Sequence, residues 1–453
     1  MHVFYGFCRI FVLQICFIRM EISSLYHLFQ RYPLVTTDSR HCPEGSIFFA
    51  LKGENFNGNA FAAKALQAGC AYAVVDEAEQ ADPADKRFIV VDNALKALQQ
   101  LANYHRRQLG TRVIGITGTN GKTTTKELLA TVLMQMHHVL YTEGNLNNAI
   151  GVPLTLLRLT AEHDIAVIEM GASHPGDIKE LVDIAEPDFG IITNVGMAHL
   201  QGFGSLEGVI RTKGELYDYL RTKPDATIFL NNDNEFLKQI AGTLNQIRYG
   251  KPTEKEMLRV SGEVISCAPY LRFRWRMGNA VWHEVQTQLI GSYNLDNMLA
   301  AATIGLYFGV SPAQIDEALS GYRPTNNRSQ LQQTSRNHLI VDAYNANPTS
   351  MAAALRNFSD MMVSPKMVIL GDMKELGECS IEEHRRIVEY LDKAQFDKVW
   401  LVGDQFAATA QGLPTFANVG EVIKAVEEEE IDGYYILIKG SNSMKLAQVV
   451  EHL

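Results

Sequence analysis

Residues 112–133 read RVIGITGTNGKTTTKELLATVL, and this stretch decides the fold. Its opening, RVIGIT (112–117), is an apolar run of the kind that forms a strand buried on both faces. KELLATVLMQM (126–136) reads as a helix, and TGTNGKTTT (117–125) lies between the two. A glycine-rich loop in that position is a phosphate cradle. Glycines let the main chain approach the anion, N–H groups at the helix start point at it, and Lys122 adds a point charge. The spacing departs from the strict G-x-x-x-x-G-K-[ST] pattern at one position, where Ile116 replaces the first glycine. Gly118, Thr119, Asn120, Gly121, Lys122, Thr123 and Thr124 are expected to hold a nucleoside triphosphate, with the Thr123 hydroxyl presented to Mg²⁺.

Working outward, HVLYT (138–142), IAVIEM (165–170), FGIITNV (189–195) and ATIFLNN (226–232) are apolar runs separated by helical segments. They read as further parallel strands of a doubly wound sheet. LRFRWRM (271–277), Gly278-Asn279 and VWHEVQTQLI (281–290) alternate with period two, as an antiparallel hairpin does. Its Arg272, Arg274 and Arg276 suit a solvated strand face better than a nucleic-acid patch. Before this block, SIFFAL, AYAVV and RFIVV alternate with an Ala-rich helical stretch at 60–69, as in a small α/β domain. After it, HLIVDAYN, KMVILGD, KVWLVGD and YYILIKG alternate with helices and reset the pattern. The expected fold class is α/β in three domains. A small α/β domain spans 20–107, a central P-loop-type, mostly parallel doubly wound sheet spans 108–324, and a Rossmann-like domain spans 325–453.

The 453-residue length agrees with about three domains at ~150 residues each. With 46% hydrophobic and 20% charged residues, the composition excludes a disordered chain. The 51 acidic against 41 basic residues, a net charge of −10, argue against a general nucleic-acid binder, which needs clustered cations. None of the six cysteines forms a Cys-x-x-Cys pair, which suits reduced thiols in the cytoplasm. Residues 1–19 are apolar but interrupted by Arg9, and lack a charged start and a small-residue cleavage site. Met20 is the expected functional start, with no membrane partner and a monomeric chain.

Hard oxygen ligands near Thr123 are needed for magnesium. Glu169 ends its strand and His199 follows another in NVGMAHL (194–200). Both therefore lie beyond the carboxyl ends of parallel strands, where ligands collect in open α/β sheets. His137 and His138, at a helix exit, read as structural.

TGTNGKTTT, GNLNNAIGVPLTLL (144–157), VIEMGASHPGDI (167–178), NVGMAHL and TKGELY (212–217) together resemble the Mur ligase family. These are ATP-dependent amide ligases of peptidoglycan precursor synthesis, and the resemblance covers nearly all of 20–453. It implies an N-terminal substrate domain, a central ATPase and a C-terminal Rossmann-like domain. DAYNANPTSMAAAL (342–355), LGDMKELG (370–377) and TDSRHCPEGSIFFALKGENFNG (37–58) resemble the branch that adds D-alanyl-D-alanine to UDP-N-acetylmuramoyl-tripeptide. The DNPR motif of the diaminopimelate-adding branch is absent from the sequence. The alternative is a ligase of the same family with a different amino-acid acceptor.

The resemblance further implies roles residue by residue. Lys122 holds the β- and γ-phosphates, Thr123 and Glu169 one Mg²⁺, and His199 a second. Lys213 matches a lysine that is carbamylated in many members and helps hold that second metal. Asn297 matches an adenine contact, and Arg328 and Asp342 match nucleotide contacts from the hinge and C-terminal domain. Ser39 and Arg40 lie near the UDP moiety, Asn145 and Asn148 near the tripeptide. Two positions depart from the pattern: Asn57-Gly58-Asn59 stands where a DGH-like tripeptide is expected, and Asn442 where an arginine is.

Overall fold

The computed structural model describes residues 20–254, 256–267, 269–324 and 330–453. Arg328 and residues 1–19 lie outside the described residues. The chain forms two compact units that divide between His105 and Arg106.

The first unit opens with helix Ile22–Arg31, which buries Leu25, Tyr26 and Phe29 on one stripe. Its strands are β1 (Val35–Thr36), β2 (Ile47–Phe49), β3 (Lys52–Gly53), β4 (Phe56–Asn57), β5 (Tyr72–Val75) and β6 (Phe88–Val90). β1, β2, β5 and β6 form a parallel sheet in that order, while β3 and β4 pair as a short antiparallel ribbon. The Ala-rich stretch begins as a 3-10 turn, Gly58–Phe61, and continues as helix Ala62–Gln67. Its Ala62, Ala65 and Leu66 pack with Phe48, Ala73 and Val75. The two asparagines of the departing tripeptide are structural ties. Buried Asn59 donates to Asp76 Oδ1 at 2.8 Å and accepts from the Asp76 N–H at 2.9 Å. Asn57 donates to Glu77 at 2.9 Å, so the loop is pinned to the end of β5.

The second unit carries two sheets. Strands β7 (Arg112–Thr117), β8 (Val139–Tyr141), β9 (Ile165–Glu169), β10 (Phe189–Ile192), β11 (Thr227–Asn231), β12 (Asn245–Gly250), β13 (Val260–Cys267), β14 (Tyr270–Met277) and β15 (His283–Ile290) build the larger one. Its order is β15-β14-β13-β12-β11-β10-β7-β9-β8, parallel from β8 to β13 and antiparallel beyond. The five apolar runs expected as parallel strands are all present. The hairpin is flanked by a third strand, β13, which sequence reading missed because Ser261, Gly262, Glu263 and Ser266 interrupt its alternation. Leu271, Phe273 and Trp275 face the core from β14, and the intervening arginines face outward. Arg272 pairs with Glu284 at 2.8 Å, Arg274 pairs with Glu263, and Arg274 and Arg276 lie over the Trp282 ring at 4.6 and 4.5 Å. The arginine row is thus matched by its own sheet.

Strands β16 (Gln330–Gln333), β17 (His338–Asp342), β18 (Lys366–Gly371), β19 (Lys398–Val402), β20 (Thr415–Phe416) and β21 (Tyr435–Lys439) form the second sheet, ordered β16-β17-β21-β18-β19-β20. All pairs are parallel except β16 with β17 at the edge. One face packs on Met351, Leu355 and Phe358, the other on Val422, Val426 and Val449, as a doubly wound sheet requires. Among the described residues no helix is long and apolar enough to cross a membrane. The described cysteines, Cys42, Cys70, Cys267 and Cys379, are free thiols.

Candidate active site

The phosphate loop leaves β7 at Thr117, and two of its glycines are dictated by geometry. Gly118 has φ +139°, and a Cβ there would lie 2.1 Å from Thr193 Oγ1. Gly121 has φ +78°, and its Cβ would lie 2.7 Å from Asn297 Oδ1. Both demands exclude side chains. The loop is fastened to the end of β10: Thr119 N–H donates to Asn194 O at 2.9 Å, and Asn120 N–H to Asn194 Oδ1 at 3.0 Å. Thr193 Oγ1 and Asn194 Nδ2 both donate to Asn120 O, at 2.6 and 3.0 Å. Helix Lys122–Leu133 then begins with no side-chain cap, which leaves its first-turn N–H groups facing the loop as an anion site. Lys122 Nζ donates to Gly118 O at 2.7 Å and Thr119 O at 3.0 Å, which holds the ammonium at the loop.

One residue into the helix, buried Thr123 donates to Glu169 at the end of β9, 2.9 Å from Oε2 and 3.1 Å from Oε1. Asn147 Nδ2 donates to Glu169 Oε1 at 2.9 Å, and Lys126 Nζ lies 3.8 Å from Oε2. Asn147 and Lys126 were missed by sequence reading, although Asn147 sits between the two asparagines it selected. A buried hydroxyl and carboxylate converging in this way are the hard oxygen donors that Mg²⁺ takes.

His199 starts the short helix Leu200–Phe203 with a left-handed backbone, φ +50°. Its Nδ1 pairs with the Glu375 carboxylate from the loop after β18. Burial pushes the imidazole below its usual 6.5, against the pull of Glu375 and helped by Lys122 and Lys213. The neutral ring is the form that ligates metals. Lys213, on helix Leu206–Leu220, is buried, with Nζ 3.4 Å from Ala172 O and 5.3 Å from the Phe203 ring centre. Burial, reinforced by the charge of Lys122, pushes it well below the usual lysine value of 10.5. His137 and His138 instead bond to the carbonyls of Phe308 and Glu162.

The other wall of the cleft comes from the C-terminal sheet. Asp342, at the end of β17, lies 2.5 Å from Lys439 Nζ at the end of β21, and that ammonium also reaches Asn345 O at 3.2 Å. Asn347 caps helix Pro348–Asp360, and its Nδ2 donates to Asn120 Oδ1 on the phosphate loop at 2.8 Å. Sequence reading found Asp342 but not Asn347, Lys439 or Glu375. Lys122, Thr123, Glu169, His199, Asn148, Asn297, Asp342, Asn347 and Lys439 line one cleft of about 700 Å³.

Asn297 accepts from Thr125 Oγ1 at 3.0 Å and donates to Asn294 Oδ1 at 2.8 Å, beneath Gly121. Asn148 Oδ1 accepts the Ile150 and Gly151 N–H groups at the start of helix Gly151–Leu156. Asn145 is exposed on the preceding loop, outside the cleft lining. Ser39 and Arg40 belong to the first unit, where the Arg40 guanidinium grips Asp38 at 2.9 and 2.8 Å and lowers its pKa to about 2.

Three family models match the chain: the Mur ligase family catalytic domain over residues 31–106, the Mur ligase middle domain over 116–305, and the Mur ligase glutamate ligase domain over 327–442. The chain is 35% identical over 430 residues to the UDP-N-acetylmuramoyl-tripeptide--D-alanyl-D-alanine ligase of Bacillus subtilis (strain 168), an alignment covering 92% of each. The enzyme of that name from Escherichia coli (strain K12) is 36% identical, with 92% of this chain and 93% of the relative covered. A crystal structure of MurF from Acinetobacter baumannii matches with a TM-score of 0.83 at 32% identity, over 92% of both chains. MurF ligase from Thermotoga maritima in complex with ADP matches with a TM-score of 0.82 at 26% identity, over 92% of this chain and 96% of that one. With relatives above 30% identity aligned over nine-tenths of its length, the protein belongs to the Mur ligase family.

Proposed function

We propose that this chain is an ATP-dependent amide ligase that joins D-alanyl-D-alanine to UDP-N-acetylmuramoyl-tripeptide, the reaction named in its relatives. The observation that carries the reading is the single cleft in which the phosphate loop, the Thr123–Glu169 pair and His199 face Asp342, Asn347 and Lys439.

A carboxylate resists amide formation because its charge repels an amine and oxide is a poor leaving group. Transfer of the γ-phosphoryl group from ATP to an oxygen of the tripeptide's terminal carboxylate releases ADP and gives an acyl phosphate. The dipeptide amine then attacks the acyl carbon, the tetrahedral adduct collapses, and phosphate leaves. Charge in the first step gathers on phosphoryl oxygens, where Lys122 and the open helix start stabilise it. Thr123 and Glu169 would hold Mg²⁺, and His199 a second ion. When bound, magnesium neutralises charge on the transferring group. Burial favours the uncharged amine of Lys213, the form that reacts with CO₂, which supports carbamylation there and a role beside His199.

Gly118, Thr119, Asn120, Gly121 and Thr124 cradle the phosphates, and Asn297, Asp342 and Lys439 serve the rest of the nucleotide. Asn148, with Asn145, lies on the tripeptide side, and Ser39 and Arg40 serve the UDP moiety. The domains run 20–107, 108–324 and 325–453, and the enzyme acts as a cytoplasmic monomer. An acyl phosphate hydrolyses if water reaches it, and the Asn120–Asn347 bond holds the C-terminal sheet over the cleft.

The test is ADP release from ATP, Mg²⁺ and UDP-N-acetylmuramoyl-tripeptide with and without D-alanyl-D-alanine. Release that requires the dipeptide and yields the pentapeptide supports the proposal. Release driven only by a different amino acid replaces the acceptor, and no release with any muramyl peptide overturns it.

A further inference from the structure

His199 and Glu375 come from different sheets and meet side chain to side chain. Both are non-glycine residues with left-handed backbones, φ +50° and +64°. Such conformations persist only where surrounding structure imposes them, and they cluster at functional contacts. The contact has a second point, since Gln201 N–H donates to Glu375 O at 3.2 Å. The loop that presents Glu375 is itself braced. Met373 N–H donates to buried His384 Nε2 at 3.1 Å, Lys374 N–H to Ser441 Oγ at 2.9 Å, and Lys374 Nζ to Asp372 Oδ2 at 3.1 Å. Glu375 is therefore delivered to His199 on a rigid support.

We infer that Glu375 is a positioning residue for the metal site, contributed by the C-terminal domain. A carboxylate held this close to Nδ1 favours the proton on that nitrogen and leaves Nε2 with the lone pair, which is how metal-bound histidines are oriented and made more basic. The imidazole lines the cleft with Thr123 and Glu169, so orienting it sets the second metal position beside the first. Docking of the C-terminal domain and assembly of the metal site thereby become one event. The inference rests on the reading of His199 as a metal ligand.

The experiment is Mn²⁺ titration of the full-length ADP-bound protein, read by electron paramagnetic resonance, for wild type, Glu375→Ala, Glu375→Gln, His199→Ala and the His199→Ala/Glu375→Ala double variant. Glu375 is largely exposed, so its replacement leaves the fold intact. Glu375→Ala is expected to weaken Mn²⁺ by about 10- to 100-fold. Glu375→Gln, which keeps an acceptor oxygen, is expected to lose less. In the His199→Ala background, Glu375→Ala should add less than about twofold, because its effect passes through the ring. Unchanged Mn²⁺ affinity in Glu375→Ala, with His199→Ala weakened, overturns the role of Glu375 alone. Unchanged affinity in His199→Ala as well overturns the ligand reading and this inference together.

Discussion

The two sheets of the second unit share a doubly wound design but treat a helix start in opposite ways. In the central sheet, helix Lys122–Leu133 begins behind a glycine loop with no side-chain cap, and the protein adds a lysine beside it. In the C-terminal sheet, helix Asp404–Ala407 follows β19 and begins against Asp372, which stands at the end of the adjacent β18. Asp372 is fully buried and accepts the N–H groups of Phe406 at 3.0 Å and Gln405 at 3.2 Å, with Lys374 Nζ at 3.1 Å. A Cβ on Gly403 would lie 2.4 Å from that carboxylate. The same main-chain donors are thus offered to a ligand anion in one sheet and consumed by the protein's own anion in the other. A Rossmann-like architecture creates the opportunity for a phosphate site, and the side chain at the neighbouring strand end decides whether it stays open.

Lys122→Ala should break the comparison on the open side most strongly. Turnover is expected to fall by about three decades or more, as when a charge clamp on a transition state is removed, with the melting temperature close to wild type. Near-normal ADP release would undo its assigned role. On the filled side, Asp372→Ala should cost about 3 kcal/mol in denaturant unfolding, because it strands one buried and one part-buried N–H group and takes the partner from Lys374. An unchanged midpoint would show that the helix start there needs no internal anion.

Gly121→Ala should be milder. A side chain at φ +78° and 2.7 Å from Asn297 Oδ1 distorts the loop by about 1–2 kcal/mol, read as a roughly tenfold weaker ATP affinity by calorimetry. Wild-type affinity would mean that the loop relaxes without cost. The smallest effect is a pH dependence carried by the C-terminal loop. His384 is held below its usual 6.5 by burial, with Nε2 accepting Met373 N–H and Nδ1 bonded to Ser380 O. The unfolded chain binds the proton more readily, so stability is constant above 6.5 and falls as pH drops below it. His384→Gln should flatten that acid limb in urea midpoints measured across the window. A slope identical to wild type would assign the effect to another group.

The phosphate loop, the parallel strands around it and the alternating hairpin were legible because each is a local pattern. Periodicity and glycine placement act through nearest neighbours along the chain. The β13 strand escaped because polar residues break its alternation and its burial changes along its length rather than from face to face, with Val260, Ser261 and Gly262 buried and Val264, Ile265 and Ser266 exposed. Glu169 was legible as an acid at a strand end and Asp342 through the resemblance of DAYNANP to the family, while Asn147, Lys439 and Glu375 were not, since nothing local distinguishes them from surface residues. The Asn57-Gly58-Asn59 departure also gained its meaning only from the fold, as ties to Asp76 and Glu77.

By itself the sequence determined that this protein carries a phosphate cradle on a doubly wound sheet, because a strand, a glycine loop and a lysine at a helix start need only contiguous residues. The tertiary structure alone decided how the cleft is completed. Asn120 and Asn347 meet across 227 residues of chain, and His199 meets Glu375 across two sheets. Which strand ends face each other follows from strand order and packing, and those contacts leave no periodic trace in the chain.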